Sequence, residues 1–263
     1  MEKLEQLEII ENLCPLYKNG TSKRLLRHEF FRDIRTEIQA YLLGFHAADG
    51  SVNDERNTLR VKVTKTDSEI IDLFQEFISP DAYIRDVNGF KSVIREKEVI
   101  TKTANEISIA SKILTSDLSN LGFGQNKTYK ELHIPKIPKN LVRHFLRGYF
   151  DGDGSFIGCV RKPNSNNREK NYRVSRAFNI DSKTKSILED IQKYLEEQEI
   201  KVHINYISRY DMYRLVTSSE SEIKKLFDLL YNDSNFYLKR KYKKFNYYVN
   251  TEVSQIITDH RNA

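Results

Sequence analysis

The chain has no tryptophan, two methionines and two cysteines among 263 residues, so tyrosine and phenylalanine supply all of its aromatic surface. Cys14 and Cys159 lie far apart and form neither a CxxC pair nor a disulfide framework. That scarcity excludes a cysteine-built zinc site and a stapled secreted scaffold, and it predicts a reduced, intracellular setting. Long apolar runs are also lacking, and no stretch approaches the length needed to cross a bilayer. The opening Met1-Glu2-Lys3-Leu4-Glu5 is polar and acidic, which does not fit a signal peptide. An apolar fraction of 39% argues against wholesale disorder. Forty-three Lys and Arg against thirty-seven Asp and Glu give a formal charge of +6, a balance that suits a polyanionic partner without proving one.

What is present is a sequence written twice. Tyr41-Leu42-Leu43-Gly44-Phe45-His46-Ala47-Ala48-Asp49-Gly50-Ser51 is answered by Phe145-Leu146-Arg147-Gly148-Tyr149-Phe150-Asp151-Gly152-Asp153-Gly154-Ser155, 104 residues further on. After the first motif an alternating strand over 59–64 leads to Asp67-Ser68, which opens a helix through Ile71, Phe74 and Phe77. After the second, strands around 172–180 lead to Asp181-Ser182 and a helix through Ile187, Ile191 and Leu195. The second interval is ten residues longer, and the excess falls in a polar hairpin tip, Arg161–Lys170. Further strands are expected around 82–87, 106–110, 202–207 and 213–217, with closing helices over 111–121 and 220–231. The pattern is αββαββα, twice. The fold class is therefore α+β, with two pseudo-symmetric repeats forming a saddle of two antiparallel sheets and the motif helices packed at the interface. Residues 1–35 read as an N-terminal helical extension, 36–135 and 136–250 as the repeats, and 251–263 as a tail. Pro135 and Pro138 make the joint short and stiff.

Thr36 with Gln39 is a capping-box start for the first motif helix, which is expected to run to Gly50. Pro138 and Asn140 mark the start of the second and Gly154 its end. Gly44 and Ala48 share one helix face, as do Gly148 and Gly152. An interior helical glycine costs about 1 kcal/mol against alanine, so a packing reason is expected: close approach of the two helices. Asp49 and Asp153 each precede the terminating glycine, where the negative end of the helix dipole disfavours an acid by about 0.3–1 kcal/mol. Asp-Gly alone is an ordinary helix stop. The same unfavourable acid in both copies points to a cation between them, and oxygen-only ligands point to Mg²⁺. Which backbone oxygens assist stays open. Asp151 suits an interface hydrogen bond better than a metal.

At these residues the chain resembles the LAGLIDADG homing endonucleases in their single-chain, two-motif form. The nine-letter core matches Leu42–Gly50 and Leu146–Gly154, and the likeness covers about residues 36–250. The resemblance implies that Asp49 and Asp153 are the metal-binding acids, and that the chain departs from the usual pattern at Ala47. It also implies a basic residue beyond each repeat that helps stabilise the transition state. Lys127 and Lys239 are the candidates, 60 and 58 residues after the helix-opening aspartates, with Lys241 a rival for the second role. The implied activity is Mg²⁺-dependent hydrolysis of one phosphodiester per strand by a monomer at double-stranded DNA, leaving short 3′ overhangs, from a mobile gene that is intron-encoded or free-standing. Outward-facing Ser51, Asn53, Arg60, Lys62, Arg161 and Arg173 are the expected DNA contacts. The basic run Lys239–Lys244, Lys241 included, reads as a phosphate-gripping helix. Two alternatives share the scaffold: a maturase acting on host intron RNA, and a DNA-binding regulator that does not cut.

Overall fold

The structure is a computed structural model that describes residues 2–18, 24–89, 91–94, 97–100, 102–127, 130–162 and 171–262. The chain divides into two compact units, Met1–Gly152 and Asp153–Ala263.

The first unit opens with helix α1 (Lys3–Leu13) and then the motif helix α2 (Glu37–Asp49). Strands β1 (Gly50–Asn53) and β2 (Thr58–Thr64), helix α3 (Glu69–Ile78) and strand β3 (Ile84–Val87) follow. A hairpin of β4 (Lys91–Ile94) and β5 (Lys97–Ile100), not expected from the sequence, precedes β6 (Ala104–Ala110) and α4 (Lys112–Asn120). A second motif helix, α5 (Val142–Asp153), closes the unit, its last residue opening the next. The second unit holds β7 (Gly154–Arg161), β8 (Arg173–Ser182), α6 (Lys185–Glu197), β9 (His203–Ile207), β10 (Met212–Thr217) and α7 (Glu220–Tyr231). Helices α8 (Lys239–Asn250) and α9 (Val253–Asn262) complete it.

The two four-stranded sheets are ordered β1-β2-β6-β3 and β7-β8-β10-β9, antiparallel throughout. Each sheet thus places its four strands in the same order relative to the chain, as a duplication requires. Alternation decides the faces. In β2, Leu59, Val61 and Val63 are buried with Ile107 and Ile109 of β6, under Ile71, Phe74 and Phe77 of α3. In the second sheet Phe156, Phe178 and Leu215 point inward, and Phe156 stacks on Phe245 of α8 with ring centroids 4.2 Å apart.

One local expectation needed correction, and two others gain detail. Asp181-Ser182 does not open a helix: β8 continues through Ser182, paired with Tyr213, and α6 starts after Thr184. Among its described residues, the N-terminal extension is helical over Lys3–Leu13, after which Tyr17 and Leu26 form an isolated bridge. The tail over 251–263 is helical as α9, docked by the buried Ile256. Of the polar hairpin tip, residues 163–170 lie outside the described residues, but β7 and β8 pair up to Arg161↔Arg173 on either side of it.

Helix α2 begins with the expected capping box. The Thr36 hydroxyl accepts from the Gln39 amide, and the Gln39 side chain reaches back to the Thr36 amide. A further N-terminal group is satisfied from α1, whose fully buried Gln6 accepts from the Ile38 amide at 3.0 Å and donates to Glu37.

Helices α2 and α5 pack backbone to backbone. A methyl group on Gly44 would lie 2.0 Å from the Phe145 carbonyl oxygen, and one on Gly148 would lie 2.0 Å from that of Tyr41. The two contacts are reciprocal, because Tyr41 and Phe145 are the same motif position. Gly152 meets Ala48 further along the seam. Two buried polar ties cross it: Tyr41 Oη donates to Asp151 Oδ2 at 2.8 Å, and Arg147 Nη2 to Glu37 Oε1 at 2.7 Å. His144 Nδ1 accepts from Arg147 at 2.9 Å. Burial, with Arg147 and Arg143 adding to it, drives the His144 pKa down to about 2.

Candidate catalytic and nucleic-acid-binding site

Each motif helix passes straight into the first strand of its sheet, since α2 ends at Asp49 where β1 begins at Gly50, and α5 ends at Asp153 where β7 begins at Gly154. Gly50 adopts extended backbone (φ −77°, ψ 162°), so the motif glycine is a junction and not a left-handed stop. Both strands are sheet edges. Residues 37–47 of α2 are buried, whereas Asp49 and Asp153 are exposed. The sixth motif position is buried in both copies, as Ala47 and as Asp151, the latter tied to Tyr41.

A lysine closes on each motif end. Lys127 Nζ donates to the Ala48 carbonyl at 3.0 Å, and Lys241 Nζ to the Gly154 carbonyl at 2.6 Å. Both lysines are nearly buried, 7% and 8% exposed. An ammonium there offsets the negative charge of the helix end. Lys239, by contrast, is an exposed first residue of α8. The lysine seen on the second motif end is thus Lys241, nearly buried and about 200° around the helix from the exposed Lys239. The sequence carried the signal: Lys241 stands 60 residues after Asp181, the interval that separates Lys127 from Asp67.

His46, one turn before Asp49, is fully buried and donates from Nε2 to the Phe123 carbonyl at 2.9 Å. Burial lowers its pKa to about 3, opposed by that hydrogen bond and assisted by nearby Lys127. The imidazole is therefore neutral and acts as a spacer behind the motif end.

The donors offered at the motif ends are exposed carboxylates and backbone carbonyls, all oxygen. Among the described residues no group of three or more His, Cys, Asp and Glu side chains is placed to cage a metal. That donor set fits Mg²⁺, which binds through one or two carboxylates and keeps waters and substrate phosphates for its other positions.

On the outer face of the first sheet, Ser51, Asn53, Arg60 and Lys62 are exposed in alternation. Ser51, Asn53, Thr58, Arg60 and Ser108 line a polar depression of about 470 Å³. Glu106 is buried on this face and receives Arg85 at 2.9 Å, with Arg60 at 3.7 Å. Gln125 accepts from the Asp54 amide at 2.8 Å, tying the β1–β2 turn to the segment that delivers Lys127. Sequence alternation pointed to Arg60 but not to Arg85, Glu106 or Ser108, which join the face through the pairing of β2, β6 and β3, nor to Gln125, which joins it through its bond to the Asp54 amide. In the second unit Arg161 and Arg173 are exposed and directly opposite across β7 and β8. Like charges so paired repel, and an anion beside them relieves the repulsion.

These features define a class: a duplicated α+β protein whose paired motif helices each deliver an acid to a sheet edge. Residues 140–231 match the family model described as the LAGLIDADG-like domain. Solved structures share the fold. The I-SmaMI LAGLIDADG homing endonuclease bound to cleaved DNA is 14% identical with a TM-score of 0.56, over 88% of this chain and 92% of that one. The LAGLIDADG meganuclease I-AabMI bound to uncleaved DNA is 15% identical with a TM-score of 0.51, over 84% and 91%. The I-LtrWI LAGLIDADG homing endonuclease bound to target DNA is 14% identical with a TM-score of 0.53, over 84% and 96%. No curated protein sequence matches the chain. The chain thus carries a LAGLIDADG-like domain and has the fold of LAGLIDADG homing endonucleases.

Proposed function

We propose that the protein is a site-specific endonuclease that makes a double-strand break in a long DNA target, as a monomer whose two repeats each address one strand. The observation that carries this reading is the repeated motif end: an exposed aspartate at a helix terminus, backed in each copy by a nearly buried lysine on an adjoining carbonyl. Asp49 and Asp153 would hold Mg²⁺, which when bound polarises the scissile phosphate and lowers the pKa of an attacking water. The chain's own part is positional and electrostatic. The aspartates fix the charge that a metal needs, and Lys127 and Lys241 set positive charge beside each motif end, where a phosphorane-like transition state gathers negative charge. The outer sheet faces hold the duplex, with Arg60, Lys62, Arg161 and Arg173 on phosphates or base edges and Ser51 and Asn53 on base edges. Removal of solvent from the contact strengthens each of these interactions.

The test is cleavage of a randomised-site DNA library with Mg²⁺ by the native chain and by the double variant Asp49→Asn, Asp153→Asn. Enrichment of one long site, cut by the native chain and not by the variant or in EDTA, is the expected result. Specific DNA binding without cutting by either protein would establish the regulator instead. Selective binding of a host intron RNA, with no DNA site enriched, would establish the maturase.

A further inference from the structure

The outer face of the second sheet presents a ladder of cross-strand pairs between β7 and β8: Ser155↔Asn179, Ile157↔Ala177, Cys159↔Ser175 and Arg161↔Arg173. One rung is out of character. Ile157 is 45% exposed, and the residue opposite it is another apolar side chain. The first sheet supplies an internal comparison, because Asn53 and Ile157 both stand three residues after their motif glycine. Asn53 pairs with Thr58, and the exposed residues of β1 and β2 are Ser51, Asn53, Arg60 and Lys62, polar or cationic throughout. The duplicated scaffold therefore holds a hydrogen-bonding pair on one sheet and an apolar pair at the matching place on the other.

A single exposed apolar residue is ordinary. Here its opposite number is apolar too, and the cationic rung Arg161↔Arg173 lies two rungs away on the same face. Cations at that distance along a strand draw a phosphate backbone over the face and set the intervening rungs against the groove. An Ile–Ala pair can neither donate nor accept a hydrogen bond. The apolar feature that the major groove offers is the C5-methyl group of thymine. We propose that Ile157, with Ala177 beside it, is a specificity-determining residue that reads a thymine methyl in the half-site taken by the second repeat. The matching position of the other half-site is read by the Asn53 amide and carries no such requirement. The two half-sites then differ by construction at this place, and the target is not a palindrome there. This inference rests on the nuclease reading.

The experiment uses the full chain in EDTA and the site enriched from the library. Duplexes in which each thymine in turn is replaced by deoxyuridine, which lacks only the methyl, are titrated against the native chain and against Ile157→Ala. The expected result is one position at which deoxyuridine weakens native binding about fourfold, the worth of one buried methyl group. At that position Ile157→Ala binds thymine and deoxyuridine duplexes equally, while its melting temperature stays that of the native chain. The native protein alone can sink the idea, since uniform indifference to deoxyuridine leaves no methyl to be read. Sensitivity that survives in Ile157→Ala assigns the methyl to another residue and overturns the assignment. Failure to enrich or bind any site defeats the nuclease reading itself, a different result from a bound site without methyl dependence.

Discussion

At the residue scale the sharpest question is which lysine serves the second motif end. Lys241 donates to the Gly154 carbonyl from a nearly buried position, and Lys239, two positions earlier on the same helix, is exposed. Lys241→Met is therefore expected to lower the single-turnover cleavage rate by about 10²-fold, the scale of losing one transition-state charge contact. Lys239→Met should change it less than about threefold, within what a surface charge contributes. Equal losses in the two variants would remove the distinction. His144 gives a second prediction, in stability. Its folded pKa lies below its unfolded value because burial, with Arg147 and Arg143 adding to it, disfavours the cation, even though Glu37 Oε1 lies 3.7 Å from Nδ1. The unfolded chain thus takes up a proton below about pH 6.5 that the folded chain refuses. Stability is whole above that pH and falls as pH drops towards the folded value, by about 1.4 kcal/mol per pH unit for this one group. Urea midpoints between pH 7 and pH 5 should fall more steeply for the native chain than for His144→Gln, and parallel profiles would refute the assignment.

At the element scale the paired motif helices depend on an absence of side chain. A Cβ on Gly44 would meet backbone, which cannot swing aside as a side-chain tip can. Gly44→Ala or Gly148→Ala should therefore destabilise the protein by about 1–3 kcal/mol through overpacking, despite the gain in helix propensity. Chemical denaturation reads this directly, and an unchanged or raised midpoint would mean that the helices do not sit this close. Much of this level was legible in the residues. The capping box at Thr36, the small-residue faces and the alternation of Leu59, Val61 and Val63 are local patterns, and local patterns fix helix starts and strand faces. Arg147 and Glu37 were not legible, because their pairing spans 110 residues and nothing near either one announces a partner. The start of α6 was missed for a related reason: Asp181 and Ser182 suit a cap, but ladder pairing with β10 holds them in a strand. The choice between Lys239 and Lys241 stayed open in the sequence because a run of cations offers no local reason to prefer one.

At the scale of the whole molecule, charge governs how a duplex would be held. A chain of net +6 with arginines and lysines on its outer sheet faces should bind DNA with a steep salt dependence. Neutralising Z phosphates gives a slope of log K against log salt of about −0.9Z, and a slope of −5 or steeper is expected for a site spanning two sheets. A nearly flat response, measured by fluorescence anisotropy from low to physiological salt, would leave the sheet faces without a role in grip. Composition alone raised that expectation only modestly. The placement of the cations, alternate and outward, came from strand periodicity, and the carboxylate of Glu106 among them came only from the sheet.

The two polar ties across the motif helices are unlike on their two sides. Tyr41 bonds Asp151 and Glu37 bonds Arg147, yet the positions matching Asp151 and Arg147 in the first copy are Ala47 and Leu43, and those matching Tyr41 and Glu37 in the second are Phe145 and Leu141. A first-repeat helix set against its own duplicate would strand a carboxylate against leucine, and a second-repeat helix would strand a guanidinium and a carboxylate against leucine and phenylalanine. Uncompensated buried charge of that kind costs about 3–5 kcal/mol. The duplication is a lock with two different halves: neither motif helix can be exchanged for a second copy of the other without leaving buried charge unmatched.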